Sequence, residues 1–263
     1  MSRENSDKSG KQHIRLRFYE ELNNFLPPHQ RKMEFVRTLP EPTTTKDLIE
    51  GCRVPHTEVD LILVNGESVT FDWMVADGDR VSVYPVFESL DISPATRLQE
   101  RPLRNPRFLA DVNLGKLARF LRMAGFDTAY RNDAHDDELI EQMLREDRAL
   151  LTRDRRLLMR RVVQKGYLVR ADRAADQLDE VLRRFDLKSI VRPFTRCMHC
   201  NARLEQVDKA KIENRLKPLT KRYYQDFSKC TGCGRIYWKG SHRERLDPKI
   251  SEILSVSGPL PDR

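Results

Sequence analysis

The chain has 263 residues and a mass of 30.9 kDa, with 39% apolar and 33% charged residues. That balance suits small soluble domains with broad charged surfaces rather than one thick core. No stretch approaches 18 consecutive apolar residues, which excludes a transmembrane helix. Residues 1–12 are polar, read as a disordered tail and lack the apolar segment of a signal peptide. Five cysteines, four of them in pairs two residues apart, argue for a metal site in a reducing compartment rather than a secreted disulfide scaffold. A cytoplasmic setting is expected.

The net charge of +8 divides as +1 over 1–12, −5 over 13–88, +4 over 89–191 and +8 over 192–263. A basic body of this kind fits a polyanionic partner, nucleic acid before membrane, since no basic amphipathic helix with an aromatic face occurs. A merely solvated basic surface fits the charge alone equally well.

From His13 onward, Ile14, Leu16 and Phe18 alternate with Arg15, Arg17 and Tyr19, the period of a strand. Thr43-Thr44-Thr45 supplies an N-cap for a helix over 46–52, ended by Gly51 and Pro55. A second strand over 59–64 turns at Asn65-Gly66, a hairpin signal. Short strands over 69–71 and 80–86 follow, flanking Asp77-Gly78-Asp79. The result is a small α+β domain over 13–88. The run Asp77-Gly78-Asp79-Arg80-Val81 into Val83-Tyr84-Pro85 resembles the β-grasp fold of ubiquitin-like ThiS/MoaD sulfur carriers. Those carriers end in Gly-Gly, whereas this segment reads Pro85-Val86-Phe87-Glu88 and continues. With no terminal carboxylate to activate there, the expected role is binding or scaffolding of a protein partner, not sulfur transfer.

Residues 89–106, with Pro94, Pro102 and Pro106 among charges, read as a linker. Residues 107–191 then alternate strands and helices: strands over 107–110, 126–130, 149–152 and 167–170, helices over 114–124, 137–147, 155–164 and 174–185. Four such units predict an open parallel α/β sheet. In such sheets the ligand lies beyond the carboxyl ends of the strands. Asp111 follows the first strand; Asp133, Asp136 and Asp137 the second; Asp154 the third; Asp172 the fourth. Carboxylates gathered at one edge suit Mg²⁺ or Mn²⁺, which can activate water against a phosphodiester. Each Asp also precedes a helix and can simply be its cap, as can Asn113. No glycine-rich phosphate loop is present, which speaks against a nucleotide-binding fold.

Cys197-Met198-His199-Cys200 and Cys230-Thr231-Gly232-Cys233 are two Cys-x2-Cys knuckles, enough for one tetrahedral structural zinc with no open catalytic position. The long gap between them predicts a loop inserted at 209–221. His199 is expected to be a surface neighbour and Cys52 a buried small side chain. A zinc ribbon over 192–249 and a tail over 250–263 complete the chain. After the second knuckle, aromatic Tyr237 and Trp238 stand among basic residues, a pattern that either stacks bases or packs the ribbon.

Residues 107–245 resemble the Mut-seven carboxy-terminal family of PIN-like ribonucleases. The resemblance is carried by Phe108-Leu109-Ala110-Asp111, Leu114 to Arg122, Asp136-Asp137-Glu138-Leu139, Leu151-Thr152-Arg153-Asp154, both knuckles and Tyr237-Trp238-Lys239-Gly240-Ser241-His242. The ubiquitin-like domain in front is the companion found in bacterial members. The resemblance implies a PIN-like fold with a zinc ribbon, and Asp111 and Asp154 in the acidic core. By the same resemblance Asp136 or Asp137 is the expected third carboxylate, and Asp172 stays unassigned. The expected RNA contacts are Lys116, Arg119 and Arg153, and Lys239, His242, Arg243 and Arg245 after the second knuckle. The leading expectation is a Mg²⁺- or Mn²⁺-dependent ribonuclease acting on tRNA or mRNA. The rival is a non-catalytic RNA-binding adaptor that docks through the ribbon and the ubiquitin-like domain.

Overall fold

The alternation of Ile14, Leu16 and Phe18 becomes strand β1 (Gln12–Phe18), with those three side chains buried. The structure is a computed structural model that describes residues 11–85, 106–238 and 248–255. The chain falls into two units, 1–101 with 154–166, and 102–153 with 167–263. The expected tail over 1–12 and linker over 89–106 lie largely outside the described residues.

In the first unit, β1 pairs antiparallel with β2 (Phe35–Leu39). Helix α1 (Thr45–Gly51) follows, capped by Thr44, whose hydroxyl oxygen accepts from the Asp47 N–H at 3.1 Å. Strand β3 (Val59–Val64) turns into β4 (Glu67–Val69) through Asn65 and Gly66, both at positive φ as a type I′ turn requires. Strand β5 (Arg80–Pro85) then runs parallel to β1 and antiparallel to β3. The sheet order β2-β1-β5-β3-β4, with helix α1 between β2 and β3, is β-grasp-like. Strand β2 has no counterpart among the expected elements. Its inward positions alternate Phe35, Arg37 and Leu39, and Arg37 lies 3.6 Å from the Cys52 sulfur. An arginine in the middle of the inward face erases the apolar alternation. Burial pushes the Cys52 thiol up, against the pull of Arg37.

The second unit is built on β6 (Arg107–Ala110), followed by a 3₁₀ turn and α2 (Gly115–Met123), then β7 (Asp127–Tyr130), α3 (Asp136–Glu146) and β8 (Ala149–Thr152). The next helix, α4 (Arg155–Leu158), is one turn long rather than the ten residues expected, and its segment belongs to the first unit. Its apolar face stops at Leu158, and β-branched Val162 and Val163 disfavour continuation. Gly166 opens strand β9 (Gly166–Leu168), which precedes α5 (Ala174–Arg184). Strand order is β7-β6-β8-β9, with β6 parallel to both neighbours. Phe108 and Ala110 of β6 and Ala149 and Leu151 of β8 join one core with Leu117 and Leu121 of α2 and Leu178 and Leu182 of α5. Each such leucine contributes about 1.5–3 kcal/mol of burial. Helix α2 ends at Gly125 (φ +100°), where a Cβ would lie 2.3 Å from the Arg192 carbonyl oxygen, so only glycine fits.

Strands β10 (Leu204–Val207), β11 (Phe227–Cys230) and β12 (Ile236–Trp238) form a small antiparallel sheet. The insertion between β10 and β11 carries helix α6 (Pro218–Tyr223). The last described element, α7 (Pro248–Ser255), corrects the reading of 250–263 as a tail. Ile250 and Leu254, one helical turn apart, are buried in the central core, and Lys249 bonds Asp176 at 2.8 Å. Arg183, joined by Lys188 and Lys249, holds the buried Asp179 carboxyl well below the usual carboxylate range despite its burial.

Candidate metal centre and acidic strand ends

The two knuckles fold as turns that bring four thiols together. The sulfurs of Cys197, Cys200, Cys230 and Cys233 all lie within 4.8 Å of one another, with Cys197–Cys233 at 3.6 Å and Cys200–Cys230 at 3.3 Å. These separations are far beyond a disulfide bond of about 2.05 Å. They approach the ~3.8 Å edge of a tetrahedron of sulfurs around zinc at ~2.3 Å. Backbone N–H groups of Gly232 and Cys233 donate to the Cys230 sulfur at 3.4 Å, and that of Cys200 to Cys197 at 3.5 Å. Gly232 sits in this turn because a Cβ would lie 2.9 Å from the Ala202 methyl. Burial would raise the Cys197 thiol, but the Tyr237 hydroxyl at 3.0 Å and backbone donors bring it down to about 6. Burial pushes Cys233 up to about 12. Zn²⁺ binding there would deprotonate the thiols together. Donor type, number and spacing all fit Zn²⁺.

The ribbon is tied to the sheet. Arg122 on α2 is buried and donates to the carbonyl oxygens of Thr128, Met198 and His199. Asn201, at φ +70°, accepts from the Thr128 N–H at 3.0 Å and donates to Asp127 at 2.8 Å. His199 is exposed, as expected of a neighbour rather than a ligand.

The second candidate region is the carboxyl edge of the sheet. In the order β7-β6-β8 the chain passes to opposite sides of β6, and open α/β sheets bind ligands beyond the strand ends at such a switch point, here between β6 and β8. Asp111, directly after β6, is 5% exposed. One carboxylate oxygen accepts from the Thr152 hydroxyl at 2.6 Å, the other from the Val112 N–H at 2.6 Å. Tyr130, at the end of β7, donates to the Val112 carbonyl at 3.1 Å and packs where a Cβ on Gly115 would be, 2.6 Å from its hydroxyl. Asp154, two residues beyond β8, is exposed and accepts from the Arg156 N–H at 2.7 Å. Asp136 and Asp137 are exposed in the first turn of α3, and Asp133 pairs with Arg131. Asp172 accepts from Arg153 at 2.7 Å. Among the described residues, no three carboxylates gather as the four sulfurs do. The bonds seen at these two residues are those of caps, Asp111 on the 3₁₀ turn Val112–Leu114 and Asp154 on α4.

A model of the Mut7-C RNAse domain matches residues 106–250, and a model of the Mut7-C ubiquitin domain matches residues 11–91. The chain belongs to the Mut7-C RNAse domain family. No curated protein and no solved structure matches it.

In this Mut7-C chain Lys116 and Arg119 are exposed on α2, and Arg153 reaches Asp172 and the Ala171 carbonyl. Lys239, His242, Arg243 and Arg245 lie outside the described residues. Trp238 packs against Phe227 and Tyr224 at ring distances of 6.4 and 6.2 Å, the packing alternative. Three site residues escaped the sequence reading: Thr152, Tyr130 and Asn201. Thr152 was readable only as a strand residue, whereas an Asn after a knuckle does signal a left-handed turn. No helix among the described residues is long and apolar enough to cross a membrane.

Proposed function

We propose that the chain is a divalent-metal ribonuclease that hydrolyses RNA phosphodiester bonds at the carboxyl ends of β6 and β8. Asp111 carries this reading: its partners are a hydroxyl and a backbone N–H, and no cationic side chain pairs with it among the described residues. A buried carboxylate without a countercharge is costly, and a hard divalent cation is the partner its oxygens favour. Asp154 and either Asp136 or Asp137 would complete the ligand set. Mg²⁺ or Mn²⁺ there would supply water activation and neutralise charge developing on the leaving oxygen. The Thr152 hydroxyl helps to fix the rotamer of Asp111, whose carboxylate keeps lone pairs beyond the two bonds it accepts. Lys116 and Arg119, exposed on the helix that starts at this edge, would hold backbone phosphates, and Arg153 would exchange Asp172 for one. Zinc in the ribbon is structural, and tRNA or mRNA in the cytoplasm is the substrate class.

The test is cleavage of labelled RNAs by the purified chain in Mg²⁺, in Mn²⁺ and in EDTA, with zinc content checked after each incubation. Cleavage confined to the Mg²⁺ or Mn²⁺ samples, leaving 5′-phosphate ends, is expected. Cleavage that persists without divalent ions would overturn the mechanism. The capping bonds of Asp111 and Asp154 favour a second reading, an adaptor that binds RNA without cutting it. It requires salt-sensitive RNA binding with no cleavage in any metal.

A further inference from the structure

His56 is a buried titratable group that the proposed reaction does not use. It is 6% exposed and sits in the 3₁₀ turn His56–Glu58 that leads into β3. Its Nε2 lies 2.7 Å from the Val163 carbonyl oxygen, and its Nδ1 lies 2.6 Å from Glu50 Oε1 on α1. The Phe71 ring meets the imidazole edge-on at 5.8 Å. A carbonyl oxygen can only accept, so Nε2 carries a proton. A second proton must then lie between Nδ1 and the Glu50 carboxyl. The Val163 bond is therefore polarised by a charge-assisted partner and shielded from water.

Val163 belongs to the segment 154–166, which is grouped with the N-terminal unit although it follows β8 in the chain. The segment has one helical turn, α4, and otherwise irregular backbone, so its own ladder does little to hold it. Among the described side chains, Leu157, Leu158 and Val163 of this segment are buried, and the Arg155 guanidinium stands 5.1 Å from the centre of the Phe25 ring. Asp154 opens this segment.

We propose that the ubiquitin-like unit works within its own chain, holding the segment 154–166 in place through the Glu50–His56–Val163 clasp, and that His56 is thereby a positioning residue for Asp154. The effect on cleavage rests on the ribonuclease reading; the effect on the segment does not.

Hydrogen exchange on the full-length protein tests this. In His56→Ala, amides in 159–166 are expected to exchange faster by on the order of ten- to a hundredfold, the loss of one charge-assisted bond. Those of β1, β3 and β5 are expected to keep their protection. His56→Gln, whose amide can donate to the Val163 carbonyl, should recover part of the difference. Glu50→Gln keeps size and lowers polarisation, so it should loosen the same segment by a smaller factor. On cleaved RNA, His56→Ala should lower kcat with KM little changed. Unchanged exchange in 159–166 for both His56→Ala and Glu50→Gln would overturn the clasp. So would loosening spread evenly over the β-grasp sheet in Glu50→Gln. Faster exchange in the segment of His56→Ala, with a parent that cuts no RNA, would retire the ribonuclease reading and leave the clasp standing.

Discussion

Cys230→Ser is expected to empty the ribbon of metal, lowering zinc from about one atom per chain to a small fraction of that. The Cys230 sulfur is buried, accepts two backbone N–H bonds at 3.4 Å and lies 3.3 Å from Cys200, so a hydroxyl in its place removes a thiolate the other three cannot replace. Structural zinc sites of this type contribute about 10–16 kcal/mol of apparent binding energy at neutral pH, much of it coupled to folding. The ribbon is bonded to the sheet through Arg122 and Asn201, and Met198 lies in the central core. Loss of the metal should therefore lower the melting temperature of the whole unit, by on the order of 10 °C. Elemental analysis and a thermal melt check both parts. A parent protein that purifies with four thiols and no zinc would refute the assignment.

The second large effect is on Asp127→Ala. Asp127 opens β7 and accepts from Arg148 at 2.6 Å and Asn201 at 2.8 Å, with Arg196 at 3.3 Å. Arg148 is 6% exposed, and Glu146 and the Phe108 carbonyl are its other partners. Removing the carboxylate leaves a buried guanidinium short of charge and frees one anchor of the ribbon. A cost of about 2–4 kcal/mol follows, measurable by urea denaturation. Burial opposes ionisation of Asp127, but the bonds from Arg148 and Asn201 outweigh it and hold its carboxyl below the usual range. A lowered carboxyl contributes stability that is complete above the unfolded value near pH 4 and is lost as pH falls through the folded value. Asp127→Asn should accordingly flatten the acid limb of the stability curve below about pH 4.

The strands of the central sheet were legible because they are short apolar runs between polar punctuation: β6 and β8 begin and end where the pattern places them. Helices α2, α3 and α5 carry an apolar stripe at helical spacing and were equally plain. Strand β2 was hidden by Arg37 on its inward face, and α4 was overdrawn because Leu157 and Leu158 look like the start of a longer stripe. The helix α7 was missed for the opposite reason: Ile250 and Leu254 are only two apolar positions, and their meaning lies in the core they reach. The cluster of four cysteines could be named from spacing alone, since Cys-x2-Cys pairs have few other uses in a reducing setting. Asp111 could be placed at the strand end, but its burial and its bond to Thr152, 41 residues away, depend on which strands become neighbours. The clasp at His56 is of the same kind: its partner is 107 residues distant in the chain.

Asp111→Asn, compared with the parent on one RNA in Mn²⁺, separates catalysis from capping most directly. An amide oxygen can still accept from the Val112 N–H, and the Thr152 hydroxyl can turn to accept from the amide, so the fold and the cap survive. What disappears is the negative charge. If Asp111 holds the catalytic ion, about 3–4 kcal/mol of charge stabilisation is lost and cleavage falls by on the order of 10²–10³. RNA binding should stay the same or tighten, because one negative charge near the phosphates is gone. Cleavage by Asp111→Asn at the parental rate, with metal affinity unchanged, would contradict the metal site at β6 and leave Asp111 as a helix cap alone.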